Sequence, residues 1–141
     1  MKRITIVFVA LVTLVAAGTA VAQGTAVKAN VPFDFTVGNA HVPAGTYLVM
    51  RAGSTNLVEI RNTSGKPAIF SSVYSDGKRP ESGKLVFDKW GDQYFLREIL
   101  CANADMSLQV PESKTETRIQ RQQASVQPNK DEVYVALAEI R

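Results

Sequence analysis

The sequence predicts an all-β fold: an antiparallel β-sandwich or small β-barrel of about seven or eight strands, with one short helix near the C-terminus. Apolar and polar side chains alternate with a period of two along most of residues 23–141, as in strands with one face in the core. Gly, Pro, Asn and Asp interrupt this alternation at short intervals, which is typical of tight turns. The alternation is interrupted from Pro111 to Gln127, where a polar stretch predicts the helix.

The N-terminal segment has the pattern of a secretory signal peptide. Two basic residues open the chain, and an apolar run extends from Ile4 to Ala17. Ala20 and Ala22 then match the small residues that signal peptidase requires, which predicts cleavage between Ala22 and Gln23. The run is shorter than the roughly 20 residues of a membrane-spanning helix. We therefore expect an exported protein, periplasmic or extracellular, without a transmembrane segment after cleavage.

Residues 23–141 are expected to form a single β domain. Without residues 1–22 the chain carries 14 basic and 13 acidic side chains, scattered among one another. Such a surface gives no electrostatic reason to bind nucleic acid. Cys101 is the only cysteine, so the chain cannot form an internal disulfide, and its apolar neighbours favour a small buried side chain.

The N-terminal half is expected to contain four strands. The first, at 31–37, places two valines and two phenylalanines on one face, while its proline favours an edge or a strand start. The turn Pro43–Gly45 leads to the second strand at 46–51. The third and fourth strands follow at 56–61 and 68–74, each after a turn that contains Gly.

The C-terminal half begins with an exposed loop at 75–83. Strands at 84–90 and 93–100 flank Gly91-Asp92, a two-residue link typical of tight hairpins. A short strand is expected at 106–110.

A helix is expected from about residue 113 to 125. Ser113 precedes Glu116 by three residues, which matches a capping box, and Pro111 lies just before it. Ile119 is its main apolar residue, so we expect weak packing. A final strand at 133–140 is expected to return to the sheet.

No catalytic or metal-binding constellation stands out in the sequence. The single histidine, His41, lies between two turns and is expected to be an exposed turn residue. One His and one distant Cys are too few ligands for a zinc site. No glycine-rich phosphate loop is present. We therefore expect no catalytic residue, no metal and no cofactor.

The aromatic residues are expected to pack mainly in the core, because most occupy alternating strand positions. Trp90 and Tyr94 flank the Gly91-Asp92 turn and are the best candidates for exposed ligand contacts. Arg97 and Glu98 interrupt an apolar strand. They indicate either a paired site or a strand with one face in water, and the second is favoured.

Three segments resemble a group of small, functionally uncharacterised exported proteins of soil bacteria that share a VPFxFxVG…PAGxY…LxF…GDxYFL pattern. The segments are VPFDFTVGNAHVPAGTYLV at 31–49, LVFDKWGDQYFLREI at 85–99 and SKTETR at 113–118. The resemblance implies an all-β fold and no established activity.

Three functional hypotheses follow. The leading one is a non-enzymatic envelope or secreted module that binds or shields a partner of unknown identity. The first alternative is a barrel-type carrier of a small apolar ligand, which requires an interior cavity. The second alternative is an enzyme of unrecognised type, which requires polar side chains that converge in a cleft.

Overall fold

The computed structural model describes residues 26–53, 56–65, 68–102, 106–126 and 130–139. The signal peptide predicted at residues 1–22 lies outside this part of the chain. The described residues form eleven strands and one helix: β1 Val27–Val31, β2 Phe35–Val37, β3 Ala40–Val42, β4 Gly45–Arg51, β5 Leu57–Asn62, β6 Ile69–Ser72, β7 Tyr74–Ser75, β8 Lys84–Trp90, β9 Gln93–Cys101, β10 Met106–Gln109, α1 Lys114–Gln123 and β11 Asp131–Glu139.

The all-β prediction with one helix near the C-terminus is confirmed, but the number of strands is larger than predicted. Within the segment predicted as one strand at 31–37, β1 ends at Val31 and β2 begins at Phe35, and the first four residues of β1, 27–30, were not predicted as strand. Pro32 accounts for the break, since it lacks the N–H that a continued ladder needs. The predicted strand at 68–74 is also two strands, β6 and β7, separated by Val73.

The strands form a nearly closed, barrel-like sheet. Hydrogen-bonded neighbours follow the order β3-β2-β9-β8-β11-β1-β4-β5-β6, and β10 pairs with both β9 and β7. All the pairings are antiparallel except a short parallel contact between β2 and β9. The late strand β11 lies between β8 and β1, as expected for a terminal strand that returns to the sheet.

The sheet closes because one chain segment changes partners. β6 pairs with β5 on one side of the barrel, and β7 pairs with β10 on the other. Val73 lies between them, and its N–H donates to the Asn56 carbonyl at 2.9 Å. The segment 69–75 therefore connects the two ends of the sheet, and the β2–β3 hairpin lies in the remaining gap.

The barrel interior is filled by side chains from almost every strand. Phe87 is fully buried near its centre and makes edge-to-face contacts with Phe33 and Phe35, with ring centroids 5.1 and 5.2 Å apart. Cys101 is a free thiol in this core, as its apolar neighbours predicted. Packing of apolar side chains therefore replaces a disulfide as the main source of stability.

The helix α1 begins as predicted, but its capping is only half of a capping box. The Ser113 hydroxyl accepts a hydrogen bond from the Glu116 N–H at 3.1 Å. The Glu116 side chain binds Arg97 on β9 instead of returning to the backbone of Ser113. The helix buries Glu116 and Ile119.

Most aromatic side chains are buried or half-buried, as expected, and three are exceptions. Phe70, Tyr74 and Tyr134 are 58, 52 and 55 % exposed. They lie at strand positions that point away from the barrel interior, where α1 does not cover them. No helix in the described part of the chain has the length and apolar character needed to cross a bilayer.

Candidate functional site

A broad concavity lies where the barrel remains open, and we call it the seam groove. It has a volume of about 570 Å³ and is open to solvent. Three chain segments line it: residues 37–40 at the tip of the β2–β3 hairpin, residues 70–72 of β6, and residues 111–113 before α1. Its volume lies within the usual range for small-molecule sites.

Local backbone geometry explains why the groove forms here. Gly38 has φ of 58°, a left-handed conformation that lets the hairpin turn tightly. A Cβ at this position would lie 3.9 Å from the Ser71 hydroxyl, so the hairpin tip lies close against β6. β6 pairs with β5, and no second strand among the described residues pairs with its other edge. The groove therefore adjoins a free strand edge.

The lining combines one exposed ring with neutral polar groups. Phe70 supplies the ring, Asn39 an amide, and Ser72 and Ser113 hydroxyls. Glu112 carries the only charge among the described lining residues. An aromatic face beside neutral hydrogen-bonding groups suits a neutral ligand with both C–H surface and hydroxyls.

A β-bulge lies on β9 next to the groove. Val86 of β8 pairs with Glu98, while the next residue, Phe87, pairs with Leu96. Arg97 is therefore an extra residue without a partner on β8, and Arg97 and Glu98 both point away from the interior. The sequence prediction that favoured an ordinary water-exposed strand face was wrong for Arg97, since its side chain is 11 % exposed and fully paired.

The Arg97 guanidinium joins three parts of the structure. Its Nε donates to Asp88 of β8 at 3.0 Å, and its Nη1 donates to the Val110 carbonyl at 2.8 Å. Its Nη2 donates to Glu116 of α1. Lys130 Nζ also lies 3.3 Å from Asp88. We call Arg97 with Asp88, Glu116 and Lys130 the Arg97 cluster.

Burial and ion pairing act in opposite directions on the pKa values of Glu116 and Arg97 in this cluster. Burial raises the pKa of Glu116 above its ordinary value, although Arg97 opposes the shift. The carboxylates in turn raise the pKa of Arg97, against the effect of its burial. One oxygen of Asp88, Oδ1, is buried and has no hydrogen-bond partner. The cluster therefore holds charges that are costly to separate.

Trp90 is buried beneath α1, so the prediction that it is exposed was wrong. It is 9 % exposed and forms a small apolar cluster with Phe95 and Ile119. The indole lies on the outer face of β8, and the helix covers that face. As positioned, Trp90 offers no free ring to a ligand, and its indole N–H has no partner.

Tyr94, the second residue predicted to contact a ligand, is half-buried. Its ring stacks on Phe33 at 3.9 Å between centroids. It also lines a small pocket of about 240 Å³ with Asp34, Thr36 and His41. His41 is exposed as predicted, but it lies in strand β3, with Nε2 3.8 Å from Asp34 Oδ2.

A second polar surface crosses the outside of the barrel. Five residues occupy one row in register across β7, β10, β9, β8 and β11: Tyr74, Gln109, Glu98, Val86 and Tyr134. The Tyr74 hydroxyl lies 3.4 Å from Gln109 Oε1, and Gln109 Nε2 donates to Glu98 at 2.9 Å. The Glu132 carboxylate, which accepts a hydrogen bond from Tyr134, raises the pKa of that phenol. The two tyrosines of this row lie outside the seam groove, so a substitution of Tyr134 can serve as a control for one of Phe70.

The seam groove was not predicted from the sequence, since its three segments are far apart in the chain. Phe70 occupies an alternating strand position, and only the ring's exposure distinguishes it from a core residue. The charged pair Arg97-Glu98 in an apolar strand was the one local signal of the bulge.

Comparison of the chain with protein-family models, with curated proteins and with solved structures gave no match.

Proposed function

We propose that this protein is an exported, non-enzymatic binding module that holds a neutral saccharide unit in the seam groove. The signal-peptide pattern at residues 1–22 supports export to the periplasm or the extracellular space. In the proposed complex, Phe70 stacks on the C–H face of a sugar ring. Asn39, Ser72 and Ser113 hydrogen-bond its hydroxyls.

The observation that carries the proposal is the exposed Phe70 ring within a groove of neutral polar groups. The Phe70 ring is 58 % exposed, so it is accessible to a ligand, and covering its apolar surface on binding would be favourable. No Lys or Arg occurs among the described residues that line the groove. This composition favours a neutral polyhydroxyl ligand over a phosphorylated or acidic one.

An array of neutral oligosaccharides tests the proposal, followed by calorimetric titration of the best binder. We expect Phe70→Ala to weaken that binding about 10-fold, since a lost aromatic contact of about 1.4 kcal/mol corresponds to one decade. Tyr134→Ala is the matched control, because it removes an equally exposed ring outside the groove. Array binding that Phe70→Ala and Tyr134→Ala change alike would contradict the proposed site.

Export has a separate test. The mass of the protein recovered from outside the cytoplasm is expected to correspond to a chain that begins at Gln23. Recovery of the whole chain in the cytoplasm would contradict export.

A carrier of a small apolar ligand is the first alternative. The interior positions are filled by side chains such as Phe87 and Ile99, which are fully buried, and this packing favours the groove as the binding site. Mass spectrometry of small molecules that co-purify from the native host distinguishes the two functions. A stoichiometric apolar ligand would favour the carrier.

An enzymatic function is the second alternative, and one observation favours it. Asp34, Thr36, His41 and Asp92 all line the small pocket beside Tyr94. The His41 and Asp34 side chains are 72 and 62 % exposed, so water would weaken their coupling. A panel of chromogenic ester and glycoside substrates tests this alternative, and turnover that His41→Ala abolishes would support it.

A further inference from the structure

We propose that α1 is a hinged flap held by Arg97, which opens as a unit while the barrel stays folded and thereby dismantles one wall of the seam groove. The opening itself is argued from the structure alone. Its effect on ligand binding rests on the proposed function.

The attachment of α1 to the barrel is small. The helix has ten residues, and helices of this length do not persist in water without tertiary contacts. Only Glu116 and Ile119 are buried among its residues. Ile119 meets Trp90 and Phe95, and Glu116 meets Arg97. The main described contacts of the helix with β8, β9 and their turn are therefore the apolar side chain of Ile119, the Glu116–Arg97 ion pair and the Gln123 side chain beside Gly91.

The hinge lies at the end of β10. The Val110 N–H donates to the Arg97 carbonyl at 2.8 Å, and the Val110 carbonyl accepts from Arg97 Nη1. Hydrogen bonds through both the N–H and the carbonyl of Val110 therefore fix this residue to Arg97 of β9. Pro111 follows directly and is exposed, so motion of α1 can begin there without disturbing β10.

The same short segment links the flap to the groove. Residues 111–113 line the seam groove, and Ser113 is also the N-cap of α1. When the helix leaves, its cap and the groove wall leave together. Conversely, a ligand that contacts Ser113 favours the closed flap, because a ligand stabilises the state that it binds better.

Hydrogen exchange on the exported protein, followed by mass spectrometry, tests the opening. Under native conditions we expect the amides of 117–123 to exchange at least 100-fold faster than those of β8 and β9. Ile119→Ala, which removes the apolar side chain that packs α1 on Trp90 and Phe95, is expected to speed exchange in α1 about 10-fold and to leave β8 and β9 unchanged. Arg118→Gln, an exposed change on the same helix, is the matched control and should alter exchange less than twofold. Equal protection of α1 and the barrel would overturn the flap.

Trp90 gives an independent readout, since it is the only tryptophan and lies under α1. In a urea titration we expect its fluorescence to shift to the red at a lower urea concentration than the far-UV signal of the strands changes. Coincident transitions would overturn separate opening.

Hydrogen exchange in the presence of a ligand tests whether opening of α1 is coupled to binding in the seam groove. The best-binding oligosaccharide is expected to slow α1 exchange at least fivefold in the wild type and not in Phe70→Ala. Binding without this protection would overturn the coupling while leaving the flap intact. If no oligosaccharide binds, the proposed function fails, and the exchange rates alone decide on the flap.

Discussion

The barrel interior and the interface beneath α1 are stabilised by different interactions. Inside, Phe87 is fully buried among rings and aliphatic side chains, and apolar packing dominates. Beneath α1, a guanidinium and two carboxylates form much of the contact, beside a cluster of three buried apolar residues among those that the structure describes.

The difference has a consequence for stability. Each buried apolar side chain contacts many others, so the removal of one lowers the free energy of unfolding of the whole sheet. Buried ion pairs roughly balance their own desolvation, so they specify where α1 docks more than they stabilise the fold. The following variants test this contrast.

The largest effect is expected for Phe87→Ala. Removal of this fully buried ring leaves a cavity where Phe33 and Phe35 now make contact, at a cost of about 3–5 kcal/mol in the free energy of unfolding. Urea denaturation followed by far-UV circular dichroism measures it. Tyr134→Ala serves as the control and should cost less than about 0.5 kcal/mol. A loss below about 1 kcal/mol for Phe87→Ala would contradict the packed interior.

Arg97→Met is expected to cost less, about 1–3 kcal/mol. The change leaves the Asp88 and Glu116 carboxylates without their main partner, but opening of α1 lets water reach them. The same denaturation experiment measures the cost, with Arg118→Met as the exposed control. A loss as large as that of Phe87→Ala would show that the Arg97 cluster is part of the global fold.

Ser113→Ala is expected to weaken α1 by about 1 kcal/mol, because the Glu116 N–H loses its side-chain acceptor. Hydrogen exchange of α1 should quicken about fivefold, with the urea midpoint of the strands unchanged. Thr115→Ala, within the helix but not at its cap, provides the comparison. A shift of the barrel midpoint would mean that the two regions unfold together.

The smallest effect concerns pH. Because burial raises the pKa of Glu116, the docked helix binds this proton more tightly than the open one. The stabilisation of the docked helix by protonated Glu116 is fully present below the ordinary pKa of a carboxyl group. It is lost as the pH rises through the raised pKa of Glu116 in the docked helix. The free energy of α1 opening, measured by hydrogen exchange, should fall across that window in the wild type. Glu116→Gln should flatten the dependence, and an unchanged slope would contradict the assignment.

Much of the fold was predictable from local pattern. The hairpin around Gly91-Asp92 and the start of α1 at Ser113 follow from turn and capping chemistry within a few residues. The extra strands were not predictable in the same way. The alternation at 31–37 is continuous, and Pro32 indicated an edge or a strand start but not the change of partner strands between β1 and β2.

The candidate site was less predictable than the fold. Trp90 and Phe70 both occupy strand positions in the sequence, yet α1 covers Trp90 and leaves Phe70 exposed. Whether an outward ring meets water depends on which distant element lies over it. Alternation in the sequence indicates which face of a strand a side chain occupies, but not whether another element packs over that face.

The sequence by itself determined the β character, the main turns, the late helix and the apolar surroundings of Cys101, since each depends on neighbours in the chain. Only the tertiary structure decided the near closure at Val73, the seam groove and the partners of Arg97. Those features join segments as distant as β2, β6 and α1. Their contacts depend on the register and the bulge of the sheet, which no local pattern specifies.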